Sequence, residues 1–166
     1  ISARWLTRGA AVTGMARPET IHDFGRGLPA PLFSVQYPAP GAPWLAERVR
    51  ELLVPMPVAM DQRWGLDHGT WSVLVHAWPE ADVPVVQLSM DAGKSAEEHL
   101  KVGEALRPLR EEGVLIMGTG NIVHNLGVMD WGDADAPPYD WADSFNEAIA
   151  QAVLEDRPEA VINYGA

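Results

Sequence analysis

The chain has 166 residues, 47% of them hydrophobic, and sets 23 acidic against 12 basic side chains for a formal net charge of −11 at pH 7. That length and apolar content suit one core, so a single domain over residues 1–166 is expected. The acidic balance argues against nucleic acid or an anionic membrane as partner, and the lack of cysteine excludes disulfides, thiolate metal sites and a cysteine nucleophile. No apolar run approaches the roughly 18 to 20 residues of a membrane span, and the N-terminal residues lack the order of a signal peptide. A cytoplasmic protein acting on a small neutral or shielded molecule is expected.

In chain order, "ISARW" reads as the end of a strand. Thr13 to Pro43 is dense in proline and glycine, which predicts a long irregular excursion with one short strand at Phe33 to Tyr37. Long ordered loops usually belong to sites. In "APWLAERVRELL", Trp44, Leu45, Val49, Leu52 and Leu53 fall near helical spacing and Pro43 suits a first turn, so a helix is expected. Ala59 to Leu66 fits no single pattern. Thr70 to Ala77 open a second helix, stopped by Pro79. "VPVVQLSM" (83–90) is β-branched and apolar without alternation, as in a strand covered on both faces.

"SAEEHLKVGEALRPLREEG" (95–113) begins with a capping box, Ser95 with Glu98, and ends at Gly113, so it reads as a helix with a kink at Pro108. "VLIMGTG" (114–120) is a second covered strand and "YDWADSFNEAIAQAVLED" (139–156) a final helix. Strand and helix alternating at this spacing predict an α/β fold: a three-layer sandwich with a mostly parallel central sheet, helices on both faces and right-handed crossovers.

Two segments attract a functional reading. In "GVLIMGTGNIVHNL" (113–126) an apolar run breaks into Gly118, Gly120, Asn121, His124 and Asn125 where a strand leaves its sheet, the place where open α/β sheets bind ligands. A glycine turn with a capping histidine explains the same residues. In "GLDHGTW" (65–71), His68 stands beside Asp67 at a loop-to-helix junction, and a carboxylate can fix an imidazole's tautomer where the two touch. Sequence neighbours need not touch, so a structural role stands beside this one. His22, next to Asp23 in the proline-rich excursion, lines a pocket or merely builds the loop. His99 is expected at the surface and His76 in packing, as are Trp64, Trp71 and Trp78, spaced by seven.

Taken together, "SARW" (2–5), "PETIHDF" (18–24), "VQYPAPGAPWLAERV" (35–49), "GLDHGTWSVL" (65–74), "VPVVQLSMD" (83–91), "GVLIMGTGNIVHNL" (113–126) and "YDWADSFNEAI" (139–149) resemble the class III extradiol ring-cleavage dioxygenases of the LigB superfamily, and among them the DOPA-dioxygenase-like branch. The resemblance implies an oxidoreductase that opens a catechol-type aromatic diol with O2 at a non-haem Fe(II) or Zn(II) site with open positions. Within it, His68 matches a histidine that supports the metal site or moves protons. His124 matches one that ligates the metal in the DOPA-dioxygenase branch and serves as the base in others. Arg4, His22, Asp67, Asn121 and Asn125 are substrate-pocket candidates. The two imidazoles are expected to share one crevice with the Arg4 side chain near it.

The chain departs from the family at "SARW", where the resemblance calls for a metal-binding histidine in place of Arg4. A guanidinium stays protonated and has no lone pair for a cation. Further ligands are expected from segments before residue 1 and after residue 166. The alternative reading is therefore a pseudoenzyme or non-catalytic binding protein on the same scaffold, holding an anionic aromatic through Arg4. Absent segments would leave apolar surface or an unpaired strand edge, favouring a homo-oligomer.

Overall fold

Small and β-branched side chains at Ala10–Thr13, all four buried, make β2 a strand that tolerates cover on both sides. In the computed structural model, which describes residues 1–25, 27–133 and 135–165, β2 pairs in parallel with β3 (Val58–Asp61), from Ala10 opposite Val58 to Thr13 opposite Asp61. The connection between them carries α1 (Pro43–Leu52), as parallel pairing requires a crossover. A second parallel pair joins β1 (Leu6–Thr7) to β4 (Met90–Asp91). The fold is thus mixed α/β with small parallel sheets.

The expected strand over 83–90 is only partly regular. Leu88 forms an antiparallel bridge with Val12, and the Gln87 carbonyl accepts from Thr13 at 2.9 Å while Ser89 donates to the Ala11 carbonyl at 2.8 Å. Side chains take other ladder positions: the Gln87 amide donates to Thr13 Oγ1 and the Ala11 amide to Ser89 Oγ, both at 2.8 Å. Hydroxyls that compete for backbone partners interrupt a ladder, and Pro84 brings no donor. The expected strand over 114–120 is also corrected: only Thr119 pairs, with Ser2, and Leu115 is 68% exposed rather than covered. Phe33 to Tyr37 is not a strand; Ala30–Ser34 is a 3-10 helix whose first residues follow Pro29 and include Pro31.

The helices follow their local signals. α1 turns Leu45, Ala46 and Val49 inward against β2, Leu88 and Leu109, each large side chain contributing about 1.5 to 3 kcal/mol on burial. α2 (His68–Ala77) begins two residues before the expected Thr70 and buries Thr70, Trp71 and Leu74. Tyr37, Leu66, Trp71 and Leu74 form a second core with Phe24 packed against it. α3 (Ala96–Ala105) keeps the capping box, with Ser95 Oγ accepting from the Glu98 amide at 3.2 Å and Glu98 Oε2 from the Ser95 amide at 2.9 Å. It gives way at Pro108 to a 3-10 turn over Arg107–Glu112 that ends on Gly113 at φ 76°.

These elements belong to one compact unit, residues 1–120. A second unit, residues 121–166, holds α4 (Asp140–Leu154) and α5 (Pro158–Ile162), which pack on each other. Among its described residues only Ala152 is buried. No described helix is long and apolar enough to cross a membrane.

Candidate functional site

The stretch Gly65 to Gly69 sends two adjacent side chains to different tasks. Asp67, fully buried, caps α2: its Oδ1 accepts from the Thr70 amide at 3.0 Å, and its Oδ2 accepts from Gln87 Nε2 at 2.7 Å and Trp64 Nε1 at 3.3 Å. Gln87 Oε1 in turn accepts from the Asp67 amide at 3.1 Å. Both carboxylate oxygens thus accept from buried or partly buried donors, which gives Asp67 a structural task at the start of α2.

His68 turns instead to Asp23. Asp23 Oδ1 accepts from both the His68 main-chain amide, at 2.9 Å, and His68 Nδ1, at 2.8 Å. On the other side, Arg4 Nε donates to Asp23 Oδ2 at 3.3 Å and Arg4 Nη2 to the Asp23 carbonyl at 3.0 Å. The carboxylate therefore bridges a guanidinium and an imidazole. Partial burial works against its charge, but the hydrogen bonds from the His68 amide and ring outweigh that and hold the Asp23 carboxyl below the ordinary carboxylate range. His68 Nε2 has no hydrogen-bond partner among the described residues.

Aromatic rings frame this corner. Phe24 meets the His68 ring edge-on at 5.4 Å and packs with Phe33 at 4.9 Å and Trp71 at 6.1 Å. His22 Nε2 lies 3.0 Å from the Val35 carbonyl, and its ring lies 5.6 Å from Trp71. It builds the excursion's fold beside the site. Gly69 permits the close pass of residues 2–4 over the first turn of α2, since a Cβ there would collide with Ser2 Oγ and press on Arg4 Cγ.

Asn121, His124 and Asn125 are exposed in the second unit, where Asn125 Oδ1 accepts from the Gly127 amide at 3.2 Å to close a turn. His76 is exposed rather than packed, because α2 buries the face of Thr70, Trp71 and Leu74. His99, expected at the surface, is half-buried, its Nδ1 2.9 Å from the Ser95 carbonyl. Of the tryptophans, Trp71 enters the core, Trp64 stacks on Trp5 at 5.5 Å and Trp78 is partly buried. A separate apolar cavity of about 310 Å³, walled by Trp44, Leu74, Trp78, Val86, Leu106 and Ile116, touches neither Arg4 nor His68.

Asp23 is the residue that sequence reasoning passed over. Its signal lay in "PETIHDF", but chain proximity pointed to Asp67 as the carboxylate for His68. Set against a divalent cation, the donors do not fit: no three His, Asp or Glu side chains among the described residues are grouped to hold one. His68 offers a single free nitrogen, and a guanidinium sits on the carboxylate beside it, where a second cation is repelled.

The chain matches the family model "Catalytic LigB subunit of aromatic ring-opening dioxygenase" over residues 1–165. It is 48% identical over 170 residues to the 4,5-DOPA dioxygenase extradiol of Escherichia coli (strain K12), covering 99% of this chain and 61% of that protein. It is 43% identical to the protein of the same name from Portulaca grandiflora, covering 99% and 60%. An uncharacterized Escherichia coli K12 protein of known crystal structure superposes with a TM-score of 0.79 at 43% identity, over 98% of this chain and 62% of that one. The chain thus spans about three fifths of the length of the curated relatives it matches. Match and superposition over nearly every residue place it plainly: this chain belongs to the LigB family of aromatic ring-opening dioxygenases.

Proposed function

We propose that this chain is part of an extradiol ring-cleaving dioxygenase acting on a catechol-type aromatic with O2, built on a single LigB-like domain of the three-layer α/β class, in which His68 moves protons. The observation that carries this reading is the Asp23–His68 hydrogen bond at 2.8 Å, which leaves Nε2 as the group open to a substrate hydroxyl. Imidazole suits that task because its ordinary pKa lies near neutrality, so it can take a phenolic proton and return one later. Phe24 and Phe33 offer apolar edges to an aromatic ring beside it. His124 belongs to the reading as metal ligand or base, and Asn121 and Asn125 as pocket residues. The Fe(II) or Zn(II) that the family implies finds no complete ligand set among the described residues, so no step is placed on a metal.

A second reading rests on Arg4. Its guanidinium is paired to Asp23 and can present its free edge to an anionic aromatic, which suits a catalytically impaired binding protein. Metal analysis of the purified chain, then Fe(II) and a catechol under air, separates the two. A yellow ring-opened product that disappears in His68→Gln supports the dioxygenase. Saturable binding of an aromatic carboxylate, lost in Arg4→Ala, without colour under any metal, supports the binding protein and sinks the first reading.

A further inference from the structure

The LigB-like corner contains a carboxylate placed to control which nitrogen of His68 carries the proton. We propose that Asp23 is a positioning residue that fixes His68 as the Nδ1–H tautomer with its Nε2 lone pair facing outward, and that Arg4 serves this arrangement by anchoring Asp23. The proposal deepens the acid/base reading of His68 and rests on it for its catalytic meaning.

Asp23 Oδ1 receives two donors from one residue, the His68 amide and His68 Nδ1. An ionised carboxylate only accepts, so the shared hydrogen of the 2.8 Å contact must reside on Nδ1. In a neutral imidazole Nε2 is then the acceptor. The main-chain bond makes the geometry stiff, because it ties the same oxygen to the first turn of α2, where unpaired amides favour a negative group. Asp67 already caps that helix from inside, which leaves Asp23 free to serve the side chain.

The second oxygen decides whether Asp23 stays in place. Arg4 Nε holds Oδ2, and Arg4 Nη2 holds the Asp23 main-chain carbonyl, so carboxylate and backbone are pinned by one planar group. Phe24, the next residue, closes the His68 ring edge-on at 5.4 Å and limits its rotation. A residue reached through 45 positions of chain thereby sets the state of a nitrogen on the opposite side of the ring.

Long-range 1H–15N correlation spectra of the 166-residue chain, above the pH at which the ring protonates, read the tautomer directly, with His68→Gln identifying the signal. The Nδ1–H form is expected in the wild type. Asp23→Ala should shift the ring toward Nε2–H or an averaged mixture. Arg4→Gln should give a partial shift. Unchanged far-UV circular dichroism shows that each variant folds. An Nε2–H signal in the wild type, or an Nδ1–H signal untouched by Asp23→Ala, overturns the proposal, even in a chain that cleaves catechols. If cleavage occurs, Asp23→Ala is expected to lower kcat about 10- to 100-fold with KM little changed. Tautomer control without turnover under any metal leaves the positioning role standing and sinks the dioxygenase reading alone.

Discussion

Asp67 and Asp23 are two carboxylates within reach of the same helix start, and they differ in every respect that decides a residue's work. Asp67 adjoins His68 in sequence yet faces inward, fully buried, hydrogen-bonded by Thr70, Gln87 and Trp64. Asp23 lies far off in sequence yet meets the imidazole, its side chain 15% exposed and flanked by a guanidinium. Burial with neutral donors makes a structural carboxylate, whereas partial exposure between two ionisable partners makes one able to influence chemistry.

The sharpest way to break this contrast is Asp67→Ala. It removes a helix cap and leaves the Gln87 and Trp64 donors without their acceptor, so a loss of about 2 to 4 kcal/mol is expected from urea unfolding. A loss under about 1 kcal/mol would mean that the buried carboxylate does not organise the α2 start.

Gly69→Ala tests the packing that joins the two corners. The new methyl group gains up to about 1 kcal/mol in helix propensity but must displace the buried Ser2 hydroxyl, at about 1 to 3 kcal/mol. Overpacking should win, giving a lower unfolding midpoint, and a stabilised variant would show that residues 2–4 yield easily.

The smallest expected effect on stability is that of Asp23→Ala, about 1 kcal/mol at neutral pH, because the pairs it loses are partly solvated. Its sign against pH is specific. A carboxyl held below its unfolded value stabilises the fold fully above that value, about 3.9, and the contribution fades as pH falls through the folded value. The gap between wild type and Asp23→Ala in thermal unfolding should therefore be widest near pH 6 and narrow on acidification toward pH 3. A gap that widens in acid would contradict the lowered carboxyl.

Local signals carried much of the helical architecture. Ser95 with Glu98 capped α3, Pro43 opened α1, and Pro108 and Gly113 ended a helix where their backbone chemistry requires it. These succeed because caps and breakers act within a few residues. The strands were less legible: apolar runs at 83–90 and 114–120 have strand composition, but a ladder exists only where another segment supplies partners, and there Thr13 and Ser89 hydroxyls or solvent took part of that role.

By itself the sequence determined the family, the acidic character, the helix ends and the candidacy of His68, since composition, capping chemistry and motif order need no knowledge of distant contacts. Only the tertiary structure decided which carboxylate serves that histidine and what Arg4 does. Asp67 and His68 are neighbours on a helix start, where successive side chains point in different directions, so one entered the core and the other met a loop residue brought back across the fold.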